Sequence, residues 1–406
     1  MSIRPLPPPT IRSLVVPVYL PSFLMATGEG AVVPVIALTA RHFGASAAVA
    51  GLVVALAGVG VLLGDLPSGW LVARFGEGAA IVVGTAVLCV ALVACVLASS
   101  VAVFALAILL LGCGWSVWVL ARLHYVGDVV PYALRGRALS TLGGIWRVGF
   151  FVGPFIGAGL IALGGLKSVY VLHLLLGIVA CAVIVRALQL TGEHVAAREF
   201  VSLRHTLSEH RRTFLTAGVA ASLISAVRTI RQALVPLWAV HIGLGAEAAS
   251  IIYGISLGFE VAVFYPAGFL LDRLGRRPIA AGSMFCIAAG LFVMPLSHAV
   301  WVLLVSGVVI GLGNGLGSGI VMTLGIDFAP PQNRAQFLGV WRVCGDIGSA
   351  AGPLAIAGII ALFTLGASVV AAGALAVIAA ATVLAIVPET LRRVAPVEHA
   401  LLSSDS

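Results

Sequence analysis

Nine charged side chains stand inside stretches of sequence that are otherwise almost wholly apolar. Four are acids, Glu29, Asp65, Glu260 and Asp346, and five are bases, Arg122, Arg147, Arg228, Arg231 and Arg342. An ionised group at the middle of a bilayer costs about 2.5 to 3.5 kcal/mol on insertion scales, so such residues persist where they are paired or face water. Their chemistry is that of carrying a charge rather than breaking a bond. An embedded acid that loses its arginine partner and its solvent takes up a proton near neutral pH, which makes it a proton carrier. Glu260 and Asp346 are the first candidates for that role, and Glu29 and Asp65 the next. The arginines suit an anionic group or a ring face. Trp115, Trp118 and Arg122 fall at i, i+3 and i+7, one helical stripe that offers aromatic faces and a cation to an amphipathic organic molecule. Plain packing of the tryptophans is the alternative reading.

These residues need an apolar frame to hold them, and composition supplies it. The 406-residue chain is 61% hydrophobic and 9% charged, with a mean hydropathy of +1.16, against roughly 25% charged residues in a soluble domain. About 20 apolar residues cross a bilayer as a helix, and the sequence offers twelve such runs. The first six are Leu14 to Ala40, Ala47 to Val72, Ala79 to Ala98, Val101 to Gly127, Arg137 to Leu163 and Val169 to Leu190. The second six are Thr213 to His241, Ala248 to Leu271, Pro278 to Ser297, Val300 to Phe328, Gln336 to Thr364 and Ala367 to Val387. The predicted class is therefore an all-α polytopic membrane protein of twelve transmembrane helices. The first run is read as a retained helix, since no small-residue cleavage site follows a short apolar core.

The net charge of +8 does not signal nucleic acid, because the bases mark one face of a membrane. With the first helix starting inside, 16 Lys and Arg fall on inner loops and termini and only Arg41 and Lys167 on the outer side. Under the positive-inside rule both termini are cytoplasmic and the protein is a multi-pass protein of the cell membrane. Residues 191–212 form the longest polar break, a cytoplasmic connector read as an amphipathic helix on the inner leaflet. It divides a bundle at 1–190 from one at 213–390, with a tail at 391–406.

The halves are a tandem duplication. Asp128-Val-Val-Pro131-Tyr-Ala-Leu-Arg135 recurs 199 residues on as Asp327-Phe-Ala-Pro330-Pro-Gln-Asn-Arg334. At the same offset Pro67, Gly69, Arg74 and Gly76 fall on Pro266, Gly268, Arg273 and Gly275, and Gly149, Gly153 and Pro154 fall on Gly348, Gly352 and Pro353. A gapless register over so many points is a repeat. Its Arg motifs lie on one side, so the repeats are parallel and related by a pseudo-two-fold along the membrane normal. The six cysteines all sit in apolar runs and form no C-x-x-C pair, so no metal site is expected. No nucleophile motif, ligand cluster or Walker loop appears, which disfavours an enzyme.

Gly268-Phe-Leu-Leu-Asp272-Arg273-Leu-Gly275-Arg276-Arg277, between runs eight and nine, resembles the loop signature of the major facilitator superfamily. The first copy, Gly69-Trp-Leu-Val-Ala73-Arg74-Phe-Gly76-Glu77-Gly78, has Ala73 where that family has Asp, so Asp65 is the candidate to replace the usual latch. Asp128 with Arg135, and Asp327 with Arg334, resemble the family's cytoplasmic charge relay. Gly149-Phe-Phe-Val-Gly153-Pro154-Phe-Ile-Gly157 resembles the antiporter signature of the drug:proton branch. Its small residues allow tight packing and its proline a bend, which makes Gly149, Gly153, Pro154, Gly352 and Pro353 hinge candidates. The branch's fourth-helix arginine is missing, with Ile108 near its place.

The resemblance implies two six-helix bundles rocking about a central cavity, with helices 5 and 8 and helices 2 and 11 meeting across it. Arg147 lies 12 residues past Arg135 and Glu260 12 before Asp272, each roughly 18 Å deep at 1.5 Å per residue; an ion pair across the bundles is one expectation. Asp65 and Arg342 match in depth, eight residues from Ala73 and Arg334. Arg342 also lies four residues before Asp346, so an intrahelical pair competes. Glu29 and Arg228 are equivalent at the 199 offset, with Arg231 a turn beyond, and are candidates for an outer gate or a charged-ligand site. The function so implied is secondary active transport of a small organic, amphipathic or drug-like solute by alternating access. A proton-coupled exporter is the first form, working as a monomer in membrane lipid with no cofactor beyond a proton gradient. Uptake of an anionic metabolite, or a non-transporting sensor of the same fold, are the alternatives.

Overall fold

The computed structural model describes residues 14–130, 132–191, 203–330 and 333–391. Among them there is no strand, and twelve helices are long and apolar enough to span a membrane. In chain order they are α1 Val15–His42, α2 (47–75), α3 (77–97), α4 Val101–Val129, α5 Tyr132–Gly164, α6 Lys167–Thr191, α7 Arg211–His241, α8 Ala246–Leu274, α9 Arg276–Val293, α10 Val300–Phe328, α11 Arg334–Leu362 and α12 Leu365–Ile386. Their limits follow the apolar runs because each polar loop carries a stop or a cap. Ser46, Ser100 and Thr364 accept the backbone amides of Val49, Val103 and Ala367, which satisfies N-terminal donors that the helix itself leaves free. Of the predicted connector, the described part is a seven-residue helix, Leu203–Glu209, resting against α11.

The duplication persists in backbone detail. Gly76 and Gly275, one repeat apart, turn the chain between α2 and α3 and between α8 and α9 with φ of 82° and 104°, values that glycine adopts at no steric cost. Both halves open on a π-helical turn, Val15–Tyr19 and Phe214–Gly218, again 199 residues apart. In the first bundle α1 lies along α5; in the second its counterpart α7 lies along α11. The glycines of the α5 motif make that contact close. A Cβ on Gly149 would stand 2.7 Å from the Phe23 carbonyl oxygen, and one on Gly352 2.8 Å from the Ala226 carbonyl oxygen. Helix α5 runs unbroken through Pro154 and α11 through Pro353.

The bundles meet through α2 with α11 and α5 with α8. These contacts lie toward the end remote from the arginine-rich loops. Gly51 faces Ala357, Gly58 faces Ala350, and Gly254 faces Pro154 and Phe155. At the arginine-rich end the bundles diverge: the cavity lining reaches Leu139, at the beginning of α5, and Met322 of α10, which is 59% exposed. The molecule is thus open toward its arginine-rich face and closed at the other. Outside, Leu63, Leu106, Leu175 and Ile378 are exposed apolar side chains of the kind a lipid tail covers.

One symmetry break matters for the site. Where α4 is continuous, α10 stops at Leu316 and restarts at Ile320, with Gly319 at φ 83°. A helix interrupted at membrane depth exposes backbone groups and is tolerated where it lines a cavity or finds partners.

Candidate solute cavity

A cavity of about 520 Å³ lies between the bundles, with Glu29 from α1, Trp115 and Arg122 from α4, Trp146 and Arg147 from α5, Arg228 and Arg231 from α7, Glu260 from α8 and Asn314 from α10 on its walls. Past Glu29 it continues into a compartment of about 300 Å³ that reaches His173, Arg342 and Asp346.

On the first bundle's side the wall is aromatic. Trp115 and Trp118 stack at 5.7 Å between centroids, and Trp146 closes against Trp115 at 5.0 Å. The Arg122 guanidinium sits 4.7 Å from the Trp118 ring centroid and 5.2 Å from that of Trp146. Its Nε and Nη1 have no hydrogen-bond partner among the described residues, and Glu29 acts on it only through space.

On the second bundle's side the wall is polar, because the break in α10 supplies acceptors. Arg228 donates from Nε to Asn314 Oδ1 at 2.6 Å and from Nη1 to the Gly317 carbonyl oxygen at 3.5 Å. Arg147, reaching across from the first bundle, donates from Nε (3.1 Å) and Nη2 (2.5 Å) to Ser318 Oγ, and its guanidinium lies 3.9 Å from the centroid of Phe264. Glu260 accepts from Arg231 at 2.6 Å, a pair with side chains 5% and 11% exposed.

Several expectations are corrected by this geometry. The cross-bundle pair between Arg147 and Glu260 is absent: Gly254 and Gly258 present α8 to α5, and Glu260, two residues on, faces about the opposite side of the helix at 100° per residue, toward Arg231 of its own bundle. Glu29 and Arg228 line the same cavity, but Arg228 is turned to the α10 break and no hydrogen bond or ion pair joins the two. Asp65 does reach Arg342, at 3.2 Å, and Arg342 also reaches Asp346, at 3.3 Å, so the two competing pairs coexist. Ser116 donates a short hydrogen bond to Asp65.

The loop residues form a separate cluster at the arginine-rich face. Arg276 meets Asp272 at 3.4 Å and Asp327 at 3.3 Å. Asp327 therefore does not take Arg334, which is exposed where α11 begins after Asn333, itself at φ 58°. Sequence reading missed Glu389, whose carboxylate accepts the amides of Arg276 and Arg277 at 2.9 and 3.0 Å and so caps α9, while Thr390 donates to Asp327 at 2.5 Å. Arg273 lies over Phe269 at 4.1 Å, and Arg74 is exposed. The side chains of Asp128 and Arg135 lie outside the described residues. Trp146, Asn314 and Ser318 were also missed as site residues; a polar residue in an apolar run was the available signal for Asn314.

Two parallel six-helix bundles, closed at one end around a charged cavity, define a membrane transporter of the secondary type. The sequence profile of the Major Facilitator Superfamily matches residues 18–262 and 213–403, and the chain belongs to that family. It is 21% identical over 336 residues to an uncharacterised MFS-type transporter of Methanocaldococcus jannaschii, covering 82% of this chain and 87% of the other. A shorter stretch of 110 residues is 33% identical to the multidrug resistance protein MdtH of Cronobacter sakazakii, 26% of this chain and 27% of that one. In fold it is similar to a D-xylose-proton symporter of known crystal structure, with a TM-score of 0.74 at 15% identity over 94% of this chain and 99% of the other.

Proposed function

We propose that the protein exports an amphipathic organic anion across the cell membrane in exchange for protons, by alternating access of the cavity, with its arginine-rich face in the cytoplasm and a single chain as the working unit. One observation carries the choice of solute: Arg122, Arg147 and Arg228 face the cavity from both bundles without a carboxylate at ion-pair distance among the described residues, next to the faces of Trp115 and Trp146. A carboxylate, sulfonate or phosphate on an aromatic or aliphatic body would supply the missing counter-charge and cover the rings. Glu29, Asp65, Glu260 and Asp346 remain the acids available for protons. The similarity to a multidrug resistance protein supports export.

Uptake of an anionic metabolite is the second reading, favoured by the likeness of fold to a proton symporter and served by the same arginines. Thermal shift of the purified protein with matched aromatic carboxylates and aromatic amines tests the solute class, since a ligand that binds the folded state raises its apparent stability. Carboxylates are expected to stabilise; stabilisation by amines alone overturns the reading. Flux of the stabilising carboxylate in proteoliposomes under pH gradients of either sign then assigns direction.

A further inference from the structure

The compartment beyond Glu29 is built differently from the main cavity. Half of its lining is valine, isoleucine, leucine and glycine, and its cation, Arg342, is already engaged by two acids. His173 of α6 reaches it with 1% exposure, and neither ring nitrogen has a hydrogen-bond partner among the described residues.

Asp65 belongs to the first bundle and Asp346 to the second, yet both lie against the one guanidinium. Asp65 Oδ1 takes Arg342 Nη2 and the Ser116 hydroxyl, Asp346 Oδ2 takes Arg342 Nε, and Asp65 Oδ2 is buried without a donor among the described residues. The two carboxyl groups thus take neighbouring nitrogens of one guanidinium, Nη2 for Asp65 at 3.2 Å and Nε for Asp346 at 3.3 Å. Two carboxylates on a single cation leave one negative charge over and repel each other, and one hydrogen between them removes both the excess and the repulsion. The titratable and charged groups around them are Glu29 from α1, His173 from α6 and Arg342 from α11, with Arg122 from α4 beyond Glu29 in the main cavity and Ser116, Thr229, Gln232 and Ser349 as neutral polar neighbours.

We infer that Asp65 and Asp346 share a single proton across the interface between the bundles, held there by Arg342 and Ser116. The proton arrives from hydronium in the compartment, leaving water, and returns to water when it departs. The hydrogen bond it makes spans α2 and α11, so separating those helices leaves each carboxyl without its partner and releases the proton. The site gives the proton-coupled reading a location and rests on that reading for its part in transport, but the proton itself is observable without any solute.

The test is pH-difference infrared spectroscopy of the solute-free protein in lipid nanodiscs, with hydrogen–deuterium exchange to mark carboxyl bands. The wild type is expected to show a protonated-carboxyl band at neutral pH that is lost in Asp65→Asn and in Asp346→Asn alike and kept in Glu29→Gln and His173→Gln. Arg342→Gln, which removes the cation but neither acid, is expected to keep the band to more alkaline pH, and covers the case in which an Asp variant fails to fold. Survival, in either Asp variant, of the band component that Glu29→Gln leaves in place, or the lack of any such component at neutral pH, overturns the shared proton. Failure of the anion reading leaves these spectra unchanged.

Discussion

Trp115 of α4 and Asn314 of α10 hold the same place in the two repeats, 199 residues apart, and the cavity takes its chemical asymmetry from them. Trp115 stacks on its neighbours in an unbroken helix; Asn314 accepts a hydrogen bond from Arg228 one turn before the helix breaks. The next matched pair repeats the contrast, Trp118 against Gly317. One wall therefore holds its arginine by ring faces and the other by amide and carbonyl oxygens. A solute lying between them meets an aromatic surface on one side and donors of fixed direction on the other.

Trp146→Leu removes one of the two rings beside Arg122. A contact between the solute's ring and Trp146 contributes about 0.5 to 1.5 kcal/mol beyond the area it buries, and about 1.4 kcal/mol is a tenfold change in affinity. Binding of an aromatic carboxylate, measured by calorimetry, is expected to weaken by up to about tenfold, with a smaller loss for an aliphatic carboxylate of equal charge. Equal losses for both would place the solute away from these rings.

The Arg231 and Glu260 pair is buried, so breaking it is expected to cost stability whether or not Glu260 also carries a proton. Removing one partner of a buried pair costs about 3 to 5 kcal/mol, whereas replacing both by apolar residues of similar size is often neutral. Glu260→Gln is expected to lower the thermal unfolding temperature clearly, and the double variant Arg231→Met with Glu260→Leu to recover most of it. A single variant as stable as the wild type would show that the charge of Arg231 is satisfied elsewhere.

Close packing of α1 on α5 depends on particular glycines. Gly149→Ala places a Cβ 2.7 Å from the Phe23 carbonyl oxygen, and overpacking of this kind costs about 1 to 3 kcal/mol. Gly159→Ala, where nothing lies within 4 Å, is expected to be neutral or slightly stabilising because it restricts the unfolded chain. Melting curves of the two variants in the same detergent check the contrast.

Glu389 gives the arginine-rich face a pH dependence. Partial burial pushes its carboxyl up, but the amides of Leu391, Arg276 and Arg277 outweigh this and hold it below the usual glutamate range. A carboxyl depressed in the folded state stabilises above its unfolded pKa, and the contribution is lost as pH falls through the folded one. Amide exchange at Arg276 and Arg277, corrected for its intrinsic rate, is expected to stay slow at neutral pH and to quicken only below the ordinary carboxylate range. In Glu389→Gln it is expected to be faster at neutral pH.

The fold was legible along the chain because the bilayer imposes a one-dimensional rule. Each crossing needs its own run of apolar residues, each polar break is a loop, and the 199-residue register carries one half onto the other down to Gly76 and Gly275. The embedded charges were legible for the same reason, since a polar residue stands out in an apolar run. Their depth was readable too, and it matched Asp65 with Arg342 correctly.

Partner choice was not legible, because it depends on where around each helix a side chain points and on which helices meet. A rotation of about 200° between Gly258 and Glu260 decides that Glu260 takes Arg231 and leaves Arg147 to Ser318. The break in α10 arises from Gly317 and Gly319, yet glycines are common throughout this chain, and only the folded backbone shows which of them interrupt a helix. The sequence by itself determined the number of spans, their register and the residues that carry charge. The tertiary structure alone decided which charges neutralise one another and which are left facing the cavity, because pairing acts over a few ångströms between helices that lie far apart along the chain.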